Sequence, residues 1–330
     1  MAEPAVRVRG LTKTYGEIEA VRGIDLDVAE REMFGFLGPN GAGKTTTIKI
    51  LCTLADATAG TATVAGHDVR TERAAVRGRI GLVFQEPTLD AYLTAEQNLR
   101  FHGELYGVPR ALLRERMDEV LTMVGLADRR RDLVATYSGG MRRRLEIARG
   151  LLHAPAVLFL DEPTIGLDPQ TRAAIWDHIA TLRRTEDITV FVTTHYMEEA
   201  EHCDRIAIID NGQLAVTDTP EALKARIGAD RVQIRTDDDP TAIVRLRERL
   251  GVQAAMHEGM VTFSVPGGAE FVPKLFAELG LGIGTVTVTR PSLDDVFMAY
   301  TGRTIRDAEA GGGGRGGGMH PMRMMARGRR

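Results

Sequence analysis

The sequence predicts an α/β fold built on a largely parallel sheet, and three observations carry that prediction. Short apolar runs rich in β-forming residues alternate with segments whose apolar residues recur at helical spacing. One such run, Met33 to Leu37, leads directly into Gly38-Pro39-Asn40-Gly41-Ala42-Gly43-Lys44-Thr45, and a helical pattern with Ile48, Ile50, Leu51 and Leu54 follows. Another, Val157 to Leu160, delivers two carboxylates, Asp161 and Glu162, to the C-terminal end of a buried strand. Ligands sit at that end in open α/β folds.

Taken in order, Val6 to Leu11 and the alternating Ile24, Leu26 and Val28 read as strands, ahead of the buried strand Met33 to Leu37. Residues 80 to 84 give a further strand. Beyond Gln85 the period changes: Leu113, Met117, Val120, Leu121 and Val124 share one helical face, and a second pattern carries Leu145, Ala148 and Leu152. A helical insert over about 87 to 150 accounts for both. Strand Val157 to Leu160, a helix through Ile175, Ile179 and Leu182, strand Ile188 to Thr193 and strand Ile206 to Ile209 complete a first unit, residues 1–225, with a turn at Asn211-Gly212. Past residue 226 the pattern resets. Val232 to Ile234, Val261 to Val265 and Thr285 to Thr289 read as strands, and Ile243 to Leu250 and Phe271 to Leu279 as helices, giving a small α+β domain over 226–310. Residues 311–330 are glycine, arginine and methionine with little else, a composition that predicts disorder.

Composition narrows the function classes. With 330 residues, 43% of them hydrophobic, the chain is long enough for more than one core. The last twenty residues hold five arginines and no acid, so the first 310 carry 37 basic against 45 acidic residues, a net charge of −8. That surface is not one that selects nucleic acid. The basic tail itself suits an anionic inner leaflet. Two cysteines, Cys52 and Cys203, make no disulfide framework and suit a reducing compartment. No apolar run approaches the length of a membrane span, and the N-terminus lacks the layout of a signal peptide, so a membrane role needs another chain.

The residue types explain what the loop and the paired acids do. Glycines let successive N–H groups turn inward at a helix N-terminus, a concavity for phosphate oxygens. Lys44 then reaches the terminal phosphates, Thr45 supplies a hydroxyl for magnesium, and Thr46 lies beside it. A nucleoside triphosphate is the ligand this arrangement predicts. At the strand end, Asp161 suits the magnesium shell and Glu162 the orientation and deprotonation of a water. His195, His202 and Cys203 fit no common zinc spacing, and Glu198, Glu199 and Glu201 read as a solvated helix face.

Six elements in order carry a resemblance: Tyr15, the phosphate loop, Gln85, Ser138-Gly139-Gly140, Asp161-Glu162 with Asp168 after it, and His195. Over residues 6 to about 225 the chain resembles the ATPase subunit of ABC transporters. The resemblance implies a P-loop ATPase core with an antiparallel β subdomain and a helical insert. It implies ATP and Mg²⁺ as cofactors, Tyr15 stacking on adenine, Gln85 touching magnesium or water, and His195 contacting the terminal phosphate. It also implies a head-to-tail homodimer, or a dimer with a related subunit, in which Lys44 of one copy and Ser138 of the other enclose each ATP. Asp168 then communicates across the interface, and a separate membrane permease docks near Gln85 and the helical insert. Tyr137 and Met141 stand where the family commonly has leucine and glutamine.

The stretch Pro291-Ser292-Leu293-Asp294-Asp295-Val296-Phe297, with Ala299-Tyr300-Thr301-Gly302, resembles the tail of daunorubicin-resistance-type exporter ATPases, and Met141 followed by three arginines points the same way. Ser292 also fits a helix N-cap. The expectation is therefore an exporter's energy subunit, working on hydrophobic drugs or lipids from the cytoplasmic side of the membrane. An importer ATPase, or an ABC protein acting on ribosomes or DNA, stands as the alternative.

Overall fold

The computed structural model describes residues 3–302, apart from Glu258 and the side chain of Thr185. The expectations of disorder and membrane attraction for residues 311–330 lie outside the described residues.

The chain opens with a long hairpin, β1 (Val6–Tyr15) and β2 (Ile18–Val28), then leaves it as β3 (Met33–Leu37), every residue of which is buried. After α1 (Lys44–Leu51) it returns as β4 (Ala59–Val64) and β5 (His67–Asp68). The first sheet, ordered β2-β1-β4-β5, is antiparallel throughout. Next come α2 (Arg73–Arg79) and β6 (Ile80–Val83), then the helical insert: α3 (Ala95–Leu105), α4 (Arg110–Met123) and α5 (Gly139–Leu151). The chain then alternates through β7 (Val157–Asp161), α6 (Pro169–Thr185), β8 (Thr189–Thr194), α7 (Met197–Ala200), β9 (Arg205–Asp210), β10 (Gln213–Asp218) and α8 (Pro220–Ile227).

The central sheet is ordered β10-β9-β3-β8-β7-β6, parallel except for the β9–β10 hairpin. Parallel strands need crossover connections, and burial on both faces explains the apolar runs 33–37, 157–160 and 190–192 in β3, β7 and β8, strands buried at every residue. Phe34, Phe36 and Phe159 all pack around Phe191 with ring centroids 5.4 to 5.5 Å apart. This stiff centre holds three loop ends, after β3, β7 and β8, side by side. The β9–β10 turn has Asn211 at φ 48° and Gly212 at φ 79°, the left-handed pair that an Asn-Gly hairpin demands.

The third sheet belongs to a split βαββαβ unit: β11 (Asp230–Thr236), α9 (Asp239–Leu250), β12 (Ala254–His257), β13 (Met260–Val265), α10 (Gly268–Leu279) and β14 (Ile283–Thr289). Its order is β12-β13-β11-β14, all antiparallel. Val232, Ile234, Val261 and Phe263 pack there against Ala242, Leu246, Leu275 and Leu279. The last helix, α11 (Leu293–Thr301), does something else. Its Leu293, Val296 and Phe297 bury in the same cluster as Leu223 of α8 and Ile175 of α6, so the C-terminal end folds back onto the first unit. Ser292 caps it through a reciprocal pair with Asp295. Phe297→Ala is expected to cost about 3–5 kcal/mol, as for other fully buried phenylalanines. Urea unfolding checks this, and a change under about 0.5 kcal/mol, the range of surface substitutions, contradicts the packing.

Candidate functional site

α1 begins at Gly43, with no side chain to close its N-terminus, at the end of the loop that follows β3. Its first N–H groups therefore lack internal partners and point into the loop. At two positions the loop has no room for a side chain. A Cβ on Gly43, where φ is 109°, would lie 2.5 Å from the Ala20 carbonyl oxygen, and one on Gly38 would lie 2.3 Å from that of Ile209. Gly38 and Pro39 are buried, Asn40 and Gly41 are exposed, and Ala42 is buried. Gly38 N–H donates to the Thr194 carbonyl at 3.2 Å, which fastens the loop to the end of β8.

Lys44, only 4% exposed, donates to the carbonyls of Gly38 at 2.7 Å and Pro39 at 3.1 Å. Its ammonium also lies 3.1 Å from Glu162 Oε1. His195 Nδ1 is 3.5 Å from that same oxygen, an ion-pair distance without hydrogen-bond geometry. Burial pushes the Glu162 carboxyl up, but the contacts with His195 and Lys44 outweigh it and hold the group below its ordinary value. Glu162 is therefore ionised at neutral pH. The stability of its pairing is present above the ordinary carboxylate range and is lost as pH falls through the lowered value. Glu162 also sits at φ 47°, a left-handed conformation that costs a non-glycine residue about 1–2 kcal/mol. Its Oε2 is buried with no hydrogen-bond partner.

Next to it, Asp161 is 3% exposed and accepts from Thr193 Oγ1 at 2.7 Å and from Thr45 Oγ1 at 3.3 Å. Thr193, directly beside Asp161 in the β7–β8 register, also accepts from Glu162 N–H at 3.0 Å. Thr45 and Asp161 thus present a hydroxyl and a carboxylate, hard oxygen donors of the kind magnesium takes, and only two of them. A site completed by phosphate and water oxygens fits that set. Among the described residues no cluster of three acids, histidines or cysteines is arranged to hold a metal by itself.

The structure therefore brings together Lys44, Thr45, Asp161, Glu162 and His195, with Thr46 one residue further along α1. It leaves the others apart. Gln85 is exposed just beyond β6, and among the described residues no hydrogen bond joins it to this cluster. Tyr15 is 47% exposed at the hairpin end, with Lys13 Nζ over its ring 4.7 Å from the centroid. Ser138 and Gly139 lie exposed at the start of α5, where Ser138 Oγ accepts from Met141 N–H at 3.2 Å. Gly140 packs beneath them against Thr171. Asp168 caps α6 through Thr171 N–H at 3.0 Å and is exposed. Tyr137 fills the apolar space expected of leucine, its hydroxyl donating to the Arg129 carbonyl at 2.7 Å.

One expectation is overturned. Glu199 does not belong to a solvated face: it is 2% exposed and accepts from Thr194 Oγ1 at 2.6 Å and from Thr164 Oγ1. Arg172 lies 3.8 Å from it and stacks over Tyr196. This knot joins the segment around His195 to the one leading to Asp168. Its signal was obscured because α7 has only four residues, too few to show which side faces the core.

The comparisons with known proteins agree in placement. Residues 21–165 match the family described as ABC transporter, and residues 219–301 match the C-terminal domain of DrrA1-3-like ATP-binding proteins. Daunorubicin resistance ATP-binding protein DrrA3 of Streptomyces coeruleorubidus is 42% identical over 316 residues, covering 94% of this chain and 100% of that protein. Linearmycin resistance ATP-binding protein LnrL of Bacillus subtilis is 37% identical, covering 92% of this chain and 100% of that one. A solved dimeric ATP-binding cassette, in a post-hydrolysis state with ADP and Pi, superposes with a TM-score of 0.59 at 29% identity, over 65% of this chain and 98% of that chain.

Proposed function

The chain belongs to the ATP-binding subunits of ABC transporters, and we propose that it hydrolyses ATP to drive an exporter of hydrophobic drugs or lipids through a separate membrane permease. The observation that carries the hydrolysis is the meeting of buried Lys44 and Glu162 with the partly buried His195 at the mouth of a helix without a side-chain cap. Export is supported by relatives named for resistance to daunorubicin and to linearmycin, both matched along nearly their whole length.

In this mechanism Lys44 leaves Glu162 and turns to the terminal phosphates, while the loop N–H groups cradle the remaining oxygens. Thr45 and Asp161 would hold magnesium, which when bound would neutralise charge on the phosphates. Glu162 orients and deprotonates the attacking water, and His195 lies against the terminal phosphate. Ser138 of a second copy closes the site, so a dimer encloses two ATP molecules. Tyr15 stacks on the adenine. Gln85, exposed beside the helical insert, reports occupancy to the permease. Among the described residues no helix is long and apolar enough to cross a membrane, so the translocation path lies in that partner.

A pH signature follows from the displaced lysine. With Lys44 withdrawn, burial is less opposed and the Glu162 carboxyl rises from its lowered value. The acidic limb of kcat, which reports the bound complex, is therefore expected at higher pH than the acidic limb of kcat/KM, which reports the free protein. Coincident limbs would show that Lys44 stays on Glu162.

The exporter reading is tested by extracting the tagged chain from native membranes in mild detergent and identifying what accompanies it. A stoichiometric polytopic membrane protein is the expected result. Ribosomal or DNA-bound partners without one would overturn it.

A further inference from the structure

The strongest unexplained feature is a buried arginine outside the set just described. Arg143, on α5, is 6% exposed, and all five of its N–H donors are engaged. Nε donates to the Pro163 carbonyl at 2.6 Å, and the Asp161 and Glu162 carbonyls each accept from Nη2 at 3.2 Å. Nη1 donates to Glu146 Oε2 at 3.0 Å and to the Phe84 carbonyl. Glu146, also buried, accepts from Thr88 N–H at 2.7 Å, and Arg149 Nη1 donates to the Thr88 carbonyl at 2.9 Å. One side of α5 therefore grips both ends of the segment containing Gln85 and the backbone of the segment containing Glu162.

We propose that Arg143 is a positioning residue that couples the two ATP sites of the dimer, because the helix that carries Ser138 to the partner's nucleotide also sets Glu162 and Gln85 in this chain's own site. The proposal rests on the shared-site reading above. The physical argument is one of rigidity. Ser138 and Arg143 are five residues apart on one helix, so a shift of α5 that closes Ser138 on a phosphate displaces the guanidinium by a similar amount. Because Glu162 is held in a left-handed conformation through its neighbours' carbonyls and through Thr193, such a shift changes where its carboxylate points. A displacement near 1 Å at a catalytic group lowers turnover about 100-fold. A planar guanidinium can reach carbonyls on opposite sides, and a lysine ammonium, a single point, cannot.

The test uses Arg143→Gln and Arg143→Lys in the full chain, with Arg143→Gln/Glu146→Gln as the variant that leaves no buried charge unpaired. ATP affinity is expected within about twofold of the parent, since Arg143 touches no part of the phosphate loop. Turnover is expected to fall about 10- to 100-fold at little changed KM. The Hill coefficient for ATP, above 1 in the parent, is expected to fall to 1 in all three variants. A merely structural role would lower the folded fraction and leave the Hill coefficient alone. Unchanged turnover, a loss of turnover with the Hill coefficient retained, or a parent Hill coefficient of 1 each overturns the proposal. The shared-site premise is checked separately, by whether Glu162→Gln protein dimerises on ATP. If it stays monomeric the premise has failed; if it dimerises while Arg143→Gln keeps its cooperativity, only the coupling has.

Discussion

Glu162→Gln is expected to leave ATP binding intact and to reduce hydrolysis by about two to four orders of magnitude, the range that positioned general bases contribute. The substitution keeps the shape of a buried side chain and removes its charge and its basicity. Lys44 stays anchored by the Gly38 and Pro39 carbonyls, so the loop keeps its form. ATP then accumulates unhydrolysed. Turnover is read by phosphate release and binding by a fluorescent nucleotide. Hydrolysis at the parent rate would remove Glu162 from the general-base role, and lost binding would mean that its charge serves the loop and not the water.

Lys44→Ala separates the two functions from the other side. Here nucleotide binding itself weakens, by about 10- to 100-fold, because a charged hydrogen-bonding group worth about 1.5–3 kcal/mol is removed from the phosphates. Glu162 also loses one of the two contacts that hold its carboxyl down, leaving burial less opposed. An affinity within twofold of the parent contradicts the assignment of Lys44 to the terminal phosphates. The paired outcomes discriminate: binding lost in one variant, turnover lost with binding kept in the other.

Much of this geometry is legible in the sequence because the relevant segments obey local rules. Met33–Leu37 and Val157–Asp161 are buried throughout, so their apolar runs declare strands, and the loop and the carboxylates follow at the strand ends. The hairpin is less legible. β1 continues past Leu11 to Tyr15 through partly exposed Lys13 and Thr14, and a register shift at Gly10 interrupts its alternation. The short β4 and β5 carry too few alternating residues to declare themselves. Arg143, Glu146 and Arg149 were hidden for a different reason. Charges at helical spacing describe a solvated face in most helices, and only the tertiary partners, carbonyls from two distant loops, make Arg143 and Glu146 internal and tie the partly exposed Arg149 to Thr88. The same limit applies to α11. Its amphipathic pattern shows that it has an apolar face, but not that the face seats on α8 instead of on the third sheet.

The central claim is that neither copy holds a complete site, and the mass of the Glu162→Gln protein in solution, measured by light scattering with and without MgATP, tests it most directly. The account predicts a monomer without nucleotide and a dimer holding two ATP molecules with it, and a return to ATP-bound monomer when Ser138→Arg is added. A protein that binds ATP and stays monomeric, or a dimer indifferent to Ser138→Arg, would contradict it.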